Sequence, residues 1–548
     1  MSDPPEPNQP SNGRRPGTRK PIASLRRFFP GPSPGGDAAP SEISVSEEGR
    51  IKSGKLAGLS MWHAIWILAW PVLIESFLNA AVGLVDTTLA ANISEAATDA
   101  VGAASYFLWF IGLVGMAIGV GVTALVARAM GKGRVAAANA SLGQSVLVAL
   151  GAGIAVGYLI ANAAPLIADF LAMQGHAREM AITYLQILAA GVPAQTVLLS
   201  SIAACRGAGD TLRPLRVMAV VNAVNIATSF ILSGTPFAIT SVQHGQTTTR
   251  TILPAVESFN LGITGVAWGS VIAWYVGVAL IVSALIRGTH GLKLMRHRVR
   301  LHARTLKRLL AVGTPNFIET FGMWFGNFII ITLVGRAQAD LIEQGASSGG
   351  LLGSHIIAIR IEALSFLPGF AMSLAAATLA GQYLGAGSAR LARLAVLRCT
   401  AIAATIMFGF GIAFLTIPKH IVGLLTPEPA HLELAPQLLF ICGITQIPFA
   451  IGICIRGSLR GAGDTRTVMI LTWISTYLVR VPLAWLASGV TVSFLGVTLH
   501  NPDPLRNILG LDLNPLVAIW IALCSEHVVR AAFFVARFLQ GGWQKVKV

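Results

Sequence analysis

Three polar side chains share one face of the first long apolar segment. Glu75, Asn79 and Asp86 are separated by 4 and 7 residues, so in an α-helix they fall within about 40° of one another. Ionisable groups inside a membrane are expensive unless they are paired, solvated or neutralised. A carboxylate in a low-dielectric cavity can exchange a proton near neutral pH, and with amide oxygens it can bind a hard cation. The stripe therefore predicts a site for H⁺ or Na⁺, with Asp86 as the metal ligand if the ion is Na⁺.

Two other apolar segments carry polar side chains at helical spacing. Asn222 and Asn225 lie three residues apart in the fifth segment, and Tyr184 and Gln195 share a face of the fourth. The asparagines complete the ion site in one interpretation and are interhelical hydrogen-bond partners in the other. We also expect a substrate cavity lined by polar residues of both halves of the chain. The residues assigned to it are Glu319, Tyr184, Gln195, Asn327 and Glu362.

Glu75 and Glu319 occupy equivalent positions, each four residues after a proline, Pro71 or Pro315. A proline bends a membrane helix and frees backbone groups from the helical hydrogen-bond pattern. In one interpretation the two carboxyl groups serve the two halves of the chain, with Glu75 as an ion-coupling group. In the other they bond to the freed backbone groups.

The composition of the chain assigns these residues to a membrane. Of 548 residues, 54% are hydrophobic and 12% charged, and the mean hydropathy is +0.68, which is outside the range of soluble domains. Twelve segments are long and apolar enough to cross a hydrocarbon core of about 30 Å. They are 62–90, 97–130, 139–166, 178–203, 212–234, 261–287, 306–335, 351–384, 391–417, 432–457, 466–488 and 513–539. The expected fold is an all-α polytopic membrane protein with 12 transmembrane helices in two pseudo-symmetric six-helix lobes.

A six-residue motif occurs twice, after the fourth and after the tenth segment. Its copies are Arg206-Gly207-Ala208-Gly209-Asp210-Thr211 and Arg460-Gly461-Ala462-Gly463-Asp464-Thr465, at an offset of 254 residues. The same offset aligns Gly131 with Gly385, so the halves are parallel repeats with a pathway expected between them. We interpret the motif as a clasp of a cytoplasmic helical hairpin. Its first glycine ends one helix, its Asp caps the next, and its Arg anchors at the headgroups. A second role as a cytoplasmic gate stays open.

Basic residues concentrate in alternate connections, which is the positive-inside pattern and places both termini in the cytoplasm of a multi-pass plasma (inner) membrane protein. The net charge of +16 is therefore explained by membrane topology. Nucleic-acid binding is the weaker interpretation, because the sequence shows no basic stripe with interleaved aromatic residues. The predicted domains are a disordered basic tail at 1–58, lobes at 59–287 and 306–540, a basic linker at 288–305 and a cytoplasmic tail at 541–548. The five cysteines show no metal-type spacing, which predicts buried thiols.

The duplicated motif resembles that of the multidrug and toxic compound extrusion (MATE) family, and so do Val85-Asp86-Thr87 and the stretch from Arg360 to Gly369. The likeness covers residues 60 to 548. It implies a V-shaped pair of lobes that exports organic, mainly cationic compounds in exchange for H⁺ or Na⁺ by alternating access. It also implies that Asp86 is the coupling carboxylate of the N-terminal lobe, with the fifth-segment asparagines nearby. The seventh-segment glutamate and fifth-segment aspartate of many relatives are replaced here by Met323 and Ser229.

Three functions compete for this chain. No Gly-x-x-x-x-Gly-Lys-Ser/Thr motif is present, so an ion gradient is the expected energy source. A flippase for lipid-linked oligosaccharide or peptidoglycan precursor would line its cavity with Arg or Lys, whereas the intramembrane charges here are interpreted as mostly acidic. A membrane-embedded enzyme would need a catalytic constellation, and none stands out. The expectation is a monomeric, ion-coupled exporter of small organic compounds, embedded in lipid, with no cofactor and no catalytic residues.

Overall fold

The computed structural model describes residues 51, 53–171, 173–243, 246–256, 259–288, 291–296, 299–345, 350–426, 428–494, 497–502, 504–507, 510 and 513–546. Twelve helices in this part of the chain are long and apolar enough to cross a membrane, which confirms the predicted spans. The first lobe is formed by α1 (Met61–Ile93), α2 (Glu95–Gly131), α3 (Val135–Phe170), α4 (Gly175–Gly207), α5 (Leu212–Ser233) and α6 (Ile263–Arg287).

The second lobe repeats this order of helices with one irregular span. It contains α7 (Ala303–Glu343), α8 (Leu351–Gly385), α9 (Ala389–Thr416), a short α10 (Pro418–Gly423), α11 (Pro429–Ala462), α12 (Thr465–Trp473), a π-helical segment (Ile474–Arg480), α13 (Val481–Ser488), a short α14 (Pro504–Asn507) and α15 (Pro515–Gln540). The eleventh span runs through α12, the π-helical segment and α13. Single π-turns inside α-helices are frequent at functional sites, and this one buries Ser475, Thr476 and Arg480.

Each lobe carries an antiparallel β-hairpin in the corresponding connection. In the first lobe β1 (Phe237–Gln243) pairs with β2 (Gln246–Leu253) between α5 and α6. In the second, β3 (Val492–Phe494) pairs with β4 (Val497–Leu499) after α13. Asn92 near the end of α1 donates its side-chain amide to the carbonyl of Ala238 at 3.0 Å, so the first hairpin is tied to the helix that carries Asp86.

The glycines of the two motifs act differently from the prediction. Gly209 (φ +87°) and Gly463 (φ +92°) hold the left-handed backbone that ends the helices, so the assignment of this role to Gly207 and Gly461 is wrong. Gly207 and Gly461 lie instead at helix crossings, where an added Cβ would overlap the backbone of α2 or α8. Glycine is needed there because it lets two backbones approach closely.

The segment before α1 is packed, so the predicted disordered tail at 1–58 is too long. Ile51 and Leu56 are 6% and 1% exposed and belong to an apolar cluster of the second lobe, while the Ser53 hydroxyl donates to the carbonyl of Met130 in α2 at 2.7 Å. Two apolar side chains and one hydrogen bond order this stretch although its composition is polar. Residues 1–50 and 52 of the predicted tail lie outside the described residues.

The basic linker and the C-terminal end are also packed. In the predicted linker 288–305, the Lys293 N–H donates to the Asn139 side chain at 2.8 Å, and α7 already begins at Ala303. In the predicted tail 541–548, Trp543 is fully buried and stacks on Phe538 with ring centroids 5.3 Å apart. Short sequence stretches without apolar runs still supply single side chains that fill gaps between helix ends.

Candidate functional site

Among the described residues of the first lobe, Asp86 is a carboxylate within a membrane helix that has no cationic partner. Asp86 in α1 is half-buried, and its Oδ1 atom is buried with no hydrogen-bond partner among the described residues. The carboxylate interacts with the Ser229 hydroxyl of α5. The helices α5 and α6 can approach closely at this point because Gly269 of α6 has no Cβ, which would overlap Ser229. An acceptor that is buried and lacks a donor is costly, so this position favours uptake of a proton or a cation.

The predicted polar partners of Asp86 lie on the helices that surround it. The Asn222 amide donates to Asn79 Oδ1 at 3.1 Å, which joins α5 to α1. The Asn225 amide donates to the Ser270 hydroxyl of α6 at 3.0 Å, while its own Oδ1 is buried without a partner in the described part of the chain. The asparagines therefore do bond between helices, and Asn225 still has one acceptor to offer.

Tyr184 and Gln195 of α4 occupy different environments. Tyr184 is 2% exposed in an apolar cluster of the first lobe and interacts electrostatically with Asp86. Its predicted place on the wall of an open cavity is wrong, because apolar side chains enclose it. Gln195 is half-buried, and no described residue donates to its buried Oε1 atom.

Glu75 and Glu319 form equivalent ion pairs with the arginines of the two motifs. Arg206 Nη2 lies 2.7 Å from Glu75 Oε1 and 2.8 Å from Oε2. Arg460 Nη2 lies 2.8 Å from Glu319 Oε2, and the Thr472 hydroxyl donates to the other carboxylate oxygen at 2.9 Å. Each pair joins the first helix of its lobe to the helix that ends in the motif.

These pairs overturn three predictions. Glu75 has a cationic partner at hydrogen-bond distance, so it is not available as an ion-coupling carboxylate. Glu319 is fully buried and does not line a substrate cavity. Arg206 and Arg460 do not anchor at the headgroups, because a carboxylate in a low-dielectric setting holds each guanidinium inside the lobe.

The motif aspartates bind basic residues from outside the motif core. Asp210 lies 3.4 Å from Lys55 Nζ and 3.3 Å from Arg213 Nε, and accepts the Arg213 backbone N–H at 3.4 Å. Asp464 lies 2.8 Å from Arg537 Nε of α15. Asp464 is the N-cap residue of α12 but accepts no backbone N–H, so the predicted side-chain cap is wrong for the second copy.

The motif threonines also differ between the copies. The Thr211 hydroxyl donates to the carbonyl of Ile67 in α1 at 2.7 Å. Thr465 is fully buried, and its hydroxyl has no partner among the residues that the structure describes. The repeat is therefore exact in letters and only approximate in its contacts.

A network of charged side chains fills the second lobe. Glu526 and Arg530 of α15 form an ion pair at 2.6 Å, and His527 lies 3.8 Å from Glu362 of α8. Arg480 of the π-helical segment donates to Asn327 Oδ1 at 2.6 Å. The predicted cavity residues Asn327 and Glu362 thus both contact this network. Asn327 is exposed and Glu362 is half-buried.

The arginines of this network correct the prediction that intramembrane charges are mostly acidic. Arg480 and Arg530 are 9% and 7% exposed. Arg456 is half-buried and lies six residues before the end of α11, not in a connection. All three fall inside the predicted spans 432–457, 466–488 and 513–539, so a count of cations within each span would have found them.

The two lobes meet at the end of the helices where both motifs lie, which we call the motif side. Arg128 of α2 donates to the carbonyl of Ala462 at 3.0 Å, and Gln382 of α8 donates to the carbonyl of Gly207 at 2.9 Å. Arg128 and Gln382 are separated by the repeat offset of 254 residues. The turns of each motif are thus held by the other lobe, and the lobes are joined at the motif side.

A close crossing of α2 and α8 accompanies these hydrogen bonds. An added Cβ on Gly131 would overlap the carbonyl oxygen of Gln382, and one on Gly385 would overlap the carbonyl oxygen of Arg128. The two contacts are exchanged by the repeat, so the crossing lies on the pseudo-symmetry axis. Small residues permit such close approach of membrane helices.

No group of three or more His, Cys, Asp or Glu side chains that could hold a metal ion occurs among the described residues. All five cysteines are buried and free.

Together, the helices, the motif contacts and the membrane charges define a helical membrane protein with two pseudo-symmetric lobes that is closed at one side. One lobe holds an unpaired carboxylate and the other holds arginines.

Comparisons with known proteins agree with this class. A family model described as MatE matches residues 71–231 and 315–486, one match in each half. The probable multidrug resistance protein NorM of Thermotoga maritima is 26% identical over 478 residues, which cover 87% of this chain and 92% of that protein. The uncharacterized transporter YisQ of Bacillus subtilis is 23% identical over 483 residues, 88% of this chain and 94% of that protein.

A solved structure of a MOP superfamily transporter from Pyrococcus furiosus shares the fold, with a TM-score of 0.75 and 19% identity. The likeness covers 91% of this chain and 100% of that one. That protein is described as having a binding pocket of reverse polarity, which suggests a different function for it.

Because the family model matches more than half of the chain, the protein belongs to the MatE family of multidrug and toxic compound extrusion transporters. The resemblance stated from the motifs and the prediction of a multi-pass membrane transporter rather than an enzyme are confirmed.

Proposed function

We propose that the protein is a secondary active antiporter that exports small organic compounds in exchange for H⁺ or Na⁺. The observation that carries this proposal is Asp86, a membrane carboxylate with one buried, unpartnered oxygen, which interacts with the Ser229 side chain. Glu75 and Glu319 are neutralised by arginine, so Asp86 remains as the coupling group of the first lobe. Relatives named as multidrug resistance proteins support organic compounds as the substrate class.

Alternating access follows from the closure at the motif side. The basic residues in alternate connections favour a cytoplasmic location for this side and for both termini. In that orientation, the contacts of Arg128 and Gln382 close the cytoplasmic end of the pathway. Export requires these contacts to break and re-form in each cycle. Binding of H⁺ or Na⁺ at Asp86 drives that cycle only if the ion prefers one of the two lobe arrangements.

Accumulation of the fluorescent cation rhodamine 6G inside everted vesicles tests the coupling, with ΔpH and a Na⁺ gradient imposed separately, because export from the cytoplasm becomes uptake in this orientation. We expect one gradient to drive transport and Asp86→Asn to abolish it. Glu179→Gln is the matched control, because that carboxylate is 78% exposed near the start of α4. We expect this variant to keep wild-type transport. Wild-type efflux by Asp86→Asn under the driving gradient would remove Asp86 from the coupling role.

A second candidate is a flippase for a lipid-linked pyrophosphate, which the half-buried Arg456 and the buried Arg480 and Arg530 favour because guanidinium groups bind phosphate oxygens. The same vesicles discriminate the two functions. Movement of a labelled polyprenyl pyrophosphate without gradient-driven efflux of small cations would select the flippase. We place it second, because the family match and Asp86 both support the antiporter.

A further inference from the structure

The interior of the second lobe contains more positive than negative charge. Its cationic groups are Arg456, Arg460, Arg480 and Arg530, and its carboxylates are Glu319, Glu362 and Glu526. Electrostatic interactions connect Arg456 with Glu319 and Glu526, and Arg480 with Glu362 and Glu526, so these groups form one network. Four guanidinium groups against three carboxylates leave one positive charge in excess, without any proton on His527.

Two of the four arginines lack a carboxylate partner. Arg460 is paired with Glu319 and Arg530 with Glu526. Neither Arg456 nor Arg480 forms an ion pair among the described residues. Burying an unpaired charge is unfavourable, so these two groups are left for an anion.

The neutral contacts of these arginines show where an anion would bind. Arg456 Nη1 lies 3.0 Å from the Met323 sulfur, and Arg480 Nη1 lies 2.6 Å from Asn327 Oδ1. Met323 and Asn327 are four residues apart in α7, so both arginines contact the same helix face on neighbouring turns. Both guanidinium groups are therefore donors available to an oxyanion bound at this face.

The site is partly exposed and contains an unsatisfied donor. Asn327 is exposed, and Met323 and Arg456 are half-buried. Arg480 is 9% exposed, and its Nε has no hydrogen-bond partner in the described part of the chain. A polar group that is so deeply buried and unsatisfied is rare in native structures.

The fold of the lobe does not require these arginines. The positions that correspond to them in the first lobe, at the offset of 254 residues, are Ile202 for Arg456 and Ile226 for Arg480. The fourth-span helix of the first lobe is therefore built with an apolar side chain in place of Arg456, while Arg480 ends a π-helical segment that α5 lacks. The two arginines thus belong to one lobe alone.

We propose that Arg456 and Arg480 form an oxyanion-binding subsite that takes the carboxylate, sulfonate or phosphate group of a transported compound. Guanidinium groups bind such groups through two parallel hydrogen bonds. The inference rests on the proposed export function and names its substrate class as organic anions and zwitterions, in place of the cations that the family resemblance implies. The oxyanion comes from a free compound or from a lipid headgroup, and the test separates these sources.

Equilibrium binding to the full-length protein in nanodiscs tests the subsite with two xanthene dyes of similar size and opposite charge. Fluorescein carries a carboxylate, and rhodamine 6G is a cation. We expect Arg456→Gln and Arg480→Gln each to weaken fluorescein binding at least tenfold and to leave rhodamine 6G binding unchanged or tighter. Arg466→Gln, at an exposed position of α12, is the matched control and keeps wild-type affinity for both dyes.

Retained rhodamine 6G binding shows that each variant is folded. If a glutamine variant does not fold, the corresponding Arg→Lys variant replaces it, and we expect partial fluorescein binding because the charge remains. Fluorescein affinity that is equal in the wild type and both variants overturns the subsite. Absence of fluorescein binding from the wild type also overturns it.

Competition identifies the source of the oxyanion. Displacement of fluorescein by benzoate at lower concentration than farnesyl pyrophosphate assigns the subsite to free carboxylates, and the reverse order assigns it to prenyl phosphate lipids. Both results support an oxyanion subsite. Accumulation of rhodamine 6G in everted vesicles reports separately on the proposed export function, so loss of the subsite and loss of that function are distinguishable.

Discussion

Replacing Gly131 or Gly385 by alanine should open the motif side. Each added methyl group would overlap a backbone carbonyl of the opposite lobe, that of Gln382 or that of Arg128. A carbonyl inside a helix cannot rotate away, so the overlap is relieved only when α2 and α8 separate by about 1 Å or more. Under the proposed function, an arrangement open at this side separates α2 from α8, so the added methyl group does not destabilise it.

The size of the effect follows from the contacts that separation breaks. The Arg128 to Ala462 bond (3.0 Å) has a charged donor and is worth about 1.5–3 kcal/mol, and the neutral Gln382 to Gly207 bond (2.9 Å) about 0.5–1.5 kcal/mol. Their sum is about 2–4.5 kcal/mol. Since about 1.4 kcal/mol changes an equilibrium tenfold, the population closed at the motif side should fall roughly 30- to 1,500-fold relative to the open one.

Distances between spin labels on Arg134→Cys and Arg390→Cys, measured by electron–electron double resonance, report this equilibrium. Both positions are exposed at the motif side of opposite lobes, and the five native cysteines are buried, so labelling is selective. We expect Gly131→Ala and Gly385→Ala to shift the distribution to longer distances.

Gly151→Ala in α3 is the matched control, because nothing lies within 4 Å of its added Cβ. It carries the same gain in helix propensity without the overlap and should leave the distances unchanged. A wild-type distance distribution in both crossing variants, with wild-type thermal stability, would show that this crossing does not hold the lobes together.

Two further predictions concern the charged groups around the motifs. Glu319→Gln leaves Arg460 buried without its carboxylate, so the protein should lose about 3–5 kcal/mol of stability. Glu75→Gln should lose less, because Arg206 is 18% exposed. A larger drop in melting temperature for Glu75→Gln than for Glu319→Gln would contradict this order. Arg128→Met should destabilise the arrangement closed at the motif side by about 1.5–3 kcal/mol relative to the open one. Arg128→Gln keeps a neutral donor and should retain part of the closure. Equal spin-label distances in the two variants would argue against a role of the Arg128 hydrogen bond.

The spans and the repeat could be predicted from the sequence because both are local or literal signals. Apolar length fixes where a helix crosses a membrane, and the motif copies are identical in six letters. Packing between distant segments has no such signal. The spacing of Glu75 and Asp86 predicts a shared helix face, but it does not reveal that Arg206, 131 residues away, lies against the first of them.

The charged interior of the second lobe was missed for a different reason. Arg456 lies near a basic connection, and the helix boundary decides whether it counts as inside or outside the membrane. Because α11 continues to Ala462, Arg456 lies about 9 Å inside the helix end at 1.5 Å per residue. Element boundaries are the least certain part of a sequence-based assignment, but this explains Arg456 alone, because Arg480 and Arg530 lie well inside the predicted spans 466–488 and 513–539.

The two halves share the parts that close the pathway and differ in the parts that meet a ligand. The Glu–Arg pair occurs once in each lobe, and each lobe contributes one glycine to the crossing of α2 and α8. Under the proposed function, the motif side therefore opens and closes as a symmetric unit. Asp86, in contrast, corresponds to Ile330 in the second lobe, and Arg456 corresponds to Ile202 in the first. Under the proposed function, neutralisation of Asp86 by H⁺ or Na⁺ removes the negative charge of one lobe and leaves the positive charge of the other unchanged. The coupling ion then competes directly with the cationic group of a substrate for binding to Asp86. An oxyanion at Arg456 is released only through the change in lobe arrangement. Efflux of cations and of anions by one protein should therefore respond differently to the same gradient.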